Sequence, residues 1–232
     1  MTDNVVELGT FVETRDGVPL KFKVTTVPEE IIEELVEHMV TFFLPREPLC
    51  EHTKLLKDEL ALEASRVVWR ELMKEGAAMV AIAEKPGPLK DRIVGANMTY
   101  ISYKGKEEKI PENAGIFKDV FLACKVAVER ANIFERYGVD KILSAFGLSV
   151  DTKYHGYHVG ERLLQCRKPL CQHLGIKVTG TIFTASSSQY LSKKIGFKVL
   201  YEEEYPKYKR DDGTLFFEGL SGKLEYNALS YE

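Results

Sequence analysis

The stretch LSVDTKYHGYHVGERLL, from Leu148 to Leu164, decides how this chain is read. Its first residues close an apolar-rich run, KILSAFGLSV at 141–150, that reads as a strand with Ile142, Phe146, Leu148 and Val150 on one face. Residues 151–157 read as a turn, and a helix follows to about residue 174, with Gly175 as its cap and Pro169 predicting a kink or break. A helix amino terminus leaves four backbone N–H groups unpaired and carries partial positive charge. Gly156 and Gly160 let the main chain approach phosphate oxygens closely, so the segment is a candidate pyrophosphate cradle. An ordinary strand–turn–helix has the same pattern. There is no GxxxxGK[ST] and no GxGxxG after an early strand, which argues against a P-loop and a Rossmann dinucleotide site.

Working outward, strands and helices alternate along the chain, which predicts α/β architecture. KFKVTTV at 21–27 reads as a first strand. Thr26 and Glu29 have capping-box spacing ahead of a helix that ends near Phe42-Phe43, where Pro45 and Pro48 disfavour continuation. A second amphipathic helix is predicted over 57–74. Strands at 77–84 and 92–103 flank Lys85-Pro86-Gly87-Pro88 and read as a hairpin. Residues 104–116 are polar and loop-like, and a long helix follows over about 117–136. Beyond the deciding stretch, a strand at 177–184, a helix at 186–195 and strands at 198–204 and 214–226 complete a mixed sheet, the last after an Asp-Asp-Gly turn at 211–213.

The chain has 232 residues, 44% apolar and 29% charged, with 32 Lys plus Arg against 35 Asp plus Glu. These values suit a globular protein. The net charge of −3 argues against a general nucleic-acid binder or a polybasic membrane binder. No run approaches the roughly 20 apolar residues of a membrane span, and the first ten residues lack the pattern of a secretory leader. A soluble cytoplasmic protein is expected. Cys50, Cys124, Cys166 and Cys171 form no CxxC pair and read as free thiols. His155 and His158 are three apart, but no Cys, Asp or Glu constellation completes a metal site.

Three blocks together carry a resemblance. The first is Phe42-Phe43-Leu44-Pro45-Arg46-Glu47-Pro48-Leu49, the second is the 148–164 stretch, and the third runs from Ser186 to Lys193-Lys194-Ile195-Gly196-Phe197. In order and spacing they resemble the GCN5-related N-acetyltransferases, and within them the insect arylalkylamine N-acetyltransferases. The family's turn is commonly Arg/Gln-x-x-Gly-x-Gly/Ala. Here the register reads His155-Gly156-Tyr157-His158-Val159-Gly160, so His155 stands for Arg or Gln and His158 for the central Gly. If the backbone at 158 needs a positive φ, a non-glycine residue there costs free energy.

The resemblance implies a mixed, mostly antiparallel sheet of about seven strands flanked by helices, with a splayed parallel pair beside acetyl-CoA. It implies that acetyl-CoA, as cosubstrate, meets Leu148, Ser149, Val150, the turn residues His155, Gly156, Tyr157, His158, Val159 and Gly160, and also Ser187 and Lys193. Glu47 matches the family's general base, which must take a proton because an alkylamine is mostly protonated at neutral pH. On its own, Glu47 reads as a solvated loop carboxylate; the resemblance is what favours the base. Thr184 and Ser188 match two hydroxyl residues that assist near the base and the cofactor thiol, though hydroxyls here also suit local capping. Phe43 and Pro48 match substrate contacts.

The tyrosine that often protonates the thiolate in the superfamily is replaced by Ser192. A backbone N–H near Val150 is expected to face the thioester oxygen. Phe42, Phe43, Tyr100, Tyr103, Phe117, Phe121 and Tyr154 are candidates to wall an aryl pocket, or are simply core. The implied activity is direct transfer of acetyl to the primary amine of an arylalkylamine or other small biogenic amine, with no metal. Alternatives are an acyl-CoA-binding member with little activity and, ranked lower, acetylation of a protein amine. The expected partners are a small amine and acetyl-CoA, with no nucleic acid and no membrane, in a monomer or weak dimer. Because Glu47 must meet Val150 and Ser188, one domain is expected over 1–232.

Overall fold

The computed structural model describes residues 5–231. Its strands form a sheet in the order β1-β2-β3-β4-β5-β6-β8-β7, in which every neighbouring pair is antiparallel except β5 with β6. Eight strands stand where about seven are expected. The extra one is β1 (Glu7–Arg15), which pairs with β2 (Val18–Thr26) across Asp16-Gly17. Both turn residues have positive φ, 52° and 78°. That is the two-residue hairpin geometry favoured by an Asp-Gly pair.

After β2 the expected capping box is absent. Thr26 Oγ1 instead accepts the Val6 N–H at 2.9 Å, and a single 3-10 turn at Glu29–Ile31 leads into α1 (Ile32–Phe42). A short helix not anticipated from the sequence, α2 (Pro48–His52), follows, and then α3 (Glu59–Lys74). Asp58 caps α3 through its Oδ1, and its Oδ2 accepts the Ile116 N–H at 2.8 Å, which ties the entry of α3 to the loop before α4. These backbone hydrogen bonds hold the Asp58 carboxyl below its usual range.

The hairpin of β3 (Met79–Ala83) and β4 (Ile93–Tyr103) forms as expected. The long helix does not run unbroken: α4 (Phe117–Ala131) stops at Asn132, which takes φ of 47°, and α5 (Ile133–Tyr137) continues to Gly138. Next come β5 (Lys141–Val150), α6 (Val159–Gln165) and α7 (Arg167–Leu174). The break between the last two lies at Cys166. Pro169 therefore sits in the first turn of α7, where its missing N–H costs no intrahelical bond. Then follow β6 (Val178–Phe183), α8 (Ser186–Ile195) and β7 (Lys198–Glu204). The final strand is β8 (Lys223–Ser230) rather than 214–226. Residues up to 222 are mostly loop, because Phe216 and Phe217 bury themselves with Tyr205 and Tyr208 against α4 instead of joining the sheet. The Asp211-Asp212-Gly213 turn is present: Asp212 Oδ1 accepts the Thr214 N–H at 2.9 Å.

The sheet separates two layers. Val80, Ile82, Ala96 and Met98 pack against α1 and α3 around Trp69, which is fully buried. Phe22, Val24, Met79 and Val94 face the other way and pack against Leu163 of α6 and Leu170 of α7. Complete burial of such a side chain stabilises by about 1.5–3 kcal/mol.

The feature that positions the site is a bulge in β5. Asn97 pairs with Leu148 but Thr99 pairs with Ala145, so β5 carries one extra residue at Phe146-Gly147. Gly147 has φ of 120°, and a Cβ there would lie 2.6 Å from Met39 Cε. The bulge overturns the expected single apolar face. Phe146 packs with the α1–α3 layer, whereas Leu148 and Val150 pack on the α6 side. The carbonyls freed at the bulge are caught by side chains: Trp69 Nε1 donates to Phe146 O at 2.9 Å and Asn97 Nδ2 to Gly147 O at 2.8 Å. Asn97 is in turn held by the buried Arg167, whose Nε donates to Asn97 Oδ1 at 2.9 Å. Past the bulge β5 departs from β6. Their paired register is confined to Leu143 opposite Thr179, with Thr179 and Thr181 hydroxyls reaching the Leu143 and Ala145 carbonyls at 2.7 and 2.8 Å.

Candidate active site

A cavity of about 950 Å³ opens where β5 and β6 part. One wall holds Phe43, Glu47 and Pro48. Another holds Leu148, Ser149 and Val150 of β5 with His155, Gly156, His158, Val159 and Gly160. A third holds Thr184, Ser187 and Ser188 at the start of α8. Residues more than 100 positions apart therefore face one space. All seven of the expected aromatics, Phe42, Phe43, Tyr100, Tyr103, Phe117, Phe121 and Tyr154, line it.

Glu47 is 7% exposed. It is the N-cap of α2: its Oε2 accepts the Cys50 N–H at 2.6 Å, with Pro48 at the first helical position. The cap fixes the carboxylate by a local rule of chain geometry. The other oxygen, Oε1, is buried and has no hydrogen-bond partner. Its field is felt nearby. Burial and then Glu47 push the Cys124 thiol up to about 12 and raise the Tyr205 phenol and the Cys50 thiol. Tyr205 reaches on to Thr184, donating from Oη to its carbonyl at 3.0 Å. Nothing in the sequence pattern pointed to Cys124 or Tyr205, since a loop tyrosine and a helix cysteine carry no spacing signal.

The Asp151 N–H donates to Val94 O at 3.0 Å. By antiparallel alternation the N–H of Val150 between them points away from β4, toward the open seam. His155 Nε2 lies 3.2 Å from Val150 O. His158 is the N-cap of α6 with φ of 54°, so the non-glycine residue does occupy the left-handed region, at a cost of about 1–2 kcal/mol. Its Nδ1 is 3.4 Å from Glu161 Oε2, which also accepts Lys194 Nζ at 2.7 Å. Burial would raise Glu161, but Lys194 holds its carboxyl below the ordinary value. The turn is clamped from outside by Arg15, at the end of the unanticipated β1. Its Nη1 donates to His155 O at 2.5 Å and Lys153 O at 3.2 Å, and its guanidinium lies 4.6 Å from the centroid of the Tyr157 ring.

Two residues of the expected set do not line the cavity. Tyr157 is buried beneath Arg15, and Lys193 is engaged with the buried Glu225, Nζ to Oε1 at 2.7 Å. Thr184 and Ser188 do line it, but no side chain caps α8, and Ser188 Oγ donates to Ala185 O at 2.8 Å. Ser149 Oγ is buried without a partner. Among the described residues no group of three or more His, Cys, Asp or Glu gathers in metal-binding geometry, and no helix is long and apolar enough to cross a membrane.

No family model matches the chain. Solved structures do. A mosquito protein described as arylalkylamine N-acetyltransferase 7, from Aedes aegypti, superposes with a TM-score of 0.91 at 27% identity, covering 99% of this chain and 96% of that one. Arylalkylamine N-acetyltransferase 2 from Aedes aegypti gives 0.75 at 21% identity over 91% of this chain and 99% of that one. A polyamine N-acetyltransferase of Drosophila melanogaster, which catalyses formation of N-acetylagmatine, gives 0.71 at 17% identity over 90% and 99%.

Proposed function

We propose that this chain, which has the GCN5-related N-acetyltransferase fold and has insect arylalkylamine N-acetyltransferases among its structural neighbours, transfers acetyl from acetyl-CoA to the primary amine of a small arylalkylamine or other biogenic amine. The observation that carries this reading is Glu47: a buried carboxylate with one oxygen fixed as a helix cap and the other unpartnered in a cavity shared with the 155–160 turn.

The donor set suits the cosubstrate. The N–H groups of Val159, Gly160 and Glu161, in the first turn of α6, have no intrahelical acceptor and sit at the positive end of the helix. Oriented backbone N–H groups hold diphosphate without adding to the lysine and arginine count, which fits a chain of net charge −3. When bound, acetyl-CoA supplies a thioester carbonyl carbon open to attack by an amine nitrogen. Leu148, Ser149 and Val150 along the seam would hold that group, and the Val150 N–H, directed away from β4, would stabilise negative charge growing on the thioester oxygen. Glu47 Oε1 takes the proton of the ammonium, directly or through an ordered water. Its fixed cap keeps the acceptor in place throughout. A positioned base contributes about 10²–10⁴-fold. Phe43 and Pro48 shape the amine side, and Thr184 and Ser188 set hydroxyl groups along the path from base to thiolate. Because this machinery draws on 43–48, 148–160 and 184–188, one domain over 1–232 is the unit that works.

The test is direct. Purified protein given acetyl-CoA and a panel of primary amines is expected to release CoA. A second reading, binding of acyl-CoA with little turnover, draws on the left-handed His158 in the cradle. Calorimetric CoA binding without release from any amine would favour that second reading over the first.

A further inference from the structure

A buried positive charge without a counter-charge stands where β5 and β6 are still paired. Arg167, the first residue of α7, is 1% exposed, yet it lines the cavity. Its Nε donates to Asn97 Oδ1 on β4 at 2.9 Å and its Nη1 to Thr179 Oγ1 on β6 at 3.3 Å, and its guanidinium lies 6.0 Å from the centroid of the Phe197 ring. Among the described residues no carboxylate pairs with it. The titratable groups within its electrostatic reach are Tyr231, Cys171 and Tyr226, each held neutral by burial. Burial pulls Arg167 itself down to about 10, so it stays a cation at neutral pH. Arg46, Lys106 and Lys125 also line the cavity, but all three are exposed to water.

A lone buried cation is costly unless negative charge meets it. Acetyl transfer makes such a charge. When the amine nitrogen bonds to the thioester carbon, the C–S bond breaks and its electron pair leaves with the sulfur. Of the two protons that the ammonium gives up on the way to an amide, one goes to Glu47 and the other to water, so the sulfur departs as a thiolate. Ser192, at the place of the superfamily's acid, is fully buried and does not line the cavity. Its Oγ donates to Gln189 O at 2.9 Å and accepts Asn227 Nδ2 at 2.8 Å. We propose that Arg167 supplies the positive charge that stabilises the leaving CoA thiolate, with Asn97 fixing that charge to the strand beside the thioester. Asn97 Nδ2 donates to Gly147 O at 2.8 Å, so the guanidinium stands two hydrogen bonds from the residue that precedes Leu148, Ser149 and Val150. A fixed cation in a water-poor site favours the charged form of a neighbouring thiol and the transition state that leads to it. This rests on the acetyltransferase reading above and adds the group that does the work of the missing acid.

The test titrates the thiol of bound CoA by its ultraviolet thiolate absorbance, with desulfo-CoA as the blank. Burial pushes Cys124, Cys166 and Cys171 up to about 12 and raises Cys50, so the protein's own thiols stay silent near neutral pH. A free thiol titrates near about 8.5. In the wild type the bound thiol is expected to titrate at least about one unit lower than free CoA. Arg167→Lys, which keeps the charge, is expected to retain most of that shift. Arg167→Met removes the charge and Asn97→Asp neutralises it in an isosteric frame, so both are expected to lose the shift. Both should also lower kcat by about tenfold or more with the amine KM little changed. An ordering by charge is what a merely structural role would not produce. A wild type that leaves the bound thiol at or above its free value overturns the proposal, as does an Arg167→Met or Asn97→Asp protein that keeps the full shift. Should Arg167→Met fail to fold, Asn97→Asp decides. If CoA binds but no amine is acetylated, the acetyltransferase reading fails while the titration still decides the role of Arg167; if CoA does not bind, both fail.

Discussion

Replacing Arg15 by Met probes whether β1, far from Glu47 in sequence, steadies the proposed acetyl-CoA cradle. Arg15 donates to two carbonyls of the turn that leads into α6, His155 O and Lys153 O, and stacks on Tyr157. Its side chain is 41% exposed, so solvent screening discounts each contact. Two charge-assisted hydrogen bonds at about 0.5–1 kcal/mol each, with stacking at about 0.5 kcal/mol, total about 2 kcal/mol. If that energy orders the turn for diphosphate, its loss weakens CoA binding by roughly 30-fold, at about 1.4 kcal/mol per tenfold. Met keeps most of the apolar stem and removes the donors. Calorimetry with CoA, wild type against Arg15→Met, reads the difference, and Arg15→Lys, a point charge without the fork, should fall between the two. An Arg15→Met protein that binds CoA within twofold of wild type refutes the clamp.

Other expectations follow from individual groups. Burial, only partly offset by Asp151, depresses His38 to about 4 from an ordinary 6.5. The unfolded chain then binds the extra proton between those values, so stability rises with pH across that window and is lost in acid. Relative to His38→Gln, the wild type should lose about 2 kcal/mol between neutral pH and a pH of about 4.5 in urea unfolding; equal losses in both proteins would contradict the assignment. His158→Gly removes a left-handed side chain and should stabilise by about 1 kcal/mol, raising Tm by about 2–4 °C. An unchanged or lower Tm would show that the His158–Glu161 contact outweighs the backbone strain.

Much of this molecule is legible from spacing alone. β5, α8 and β7 keep their expected bounds because each is a short apolar-patterned run with a glycine or polar turn at its end. Other features turn on interactions between distant residues. The bulge at Phe146-Gly147 exists because Trp69, Asn97 and Met39 meet β5 there, and no local pattern records those neighbours. That one residue reverses the faces of Leu148 and Val150 and opens the seam. The segment 214–222 looks like a strand because it is aromatic, but its aromatics are spent on α4. The β1–β2 hairpin is different, since Asp16-Gly17 is a hairpin signal in plain view. Its consequence for the candidate site, Arg15 on the turn before α6, spans about 140 positions and shows only in three dimensions. The same holds for the candidate site. Glu47 and the 148–160 stretch stand out by resemblance, whereas Cys124 and Tyr205, which lie near Glu47, carry no spacing signal.

Glu47 is proposed to take the amine proton. This is tested most directly by kcat/KM for acetyl transfer in wild type and Glu47→Gln, with CoA affinity measured on both. Gln retains an oxygen to cap α2 but cannot accept the proton. The expected result is kcat/KM lower by about 10²–10⁴-fold with CoA affinity within twofold. A Glu47→Gln protein that acetylates amines within a few-fold of wild type would contradict it.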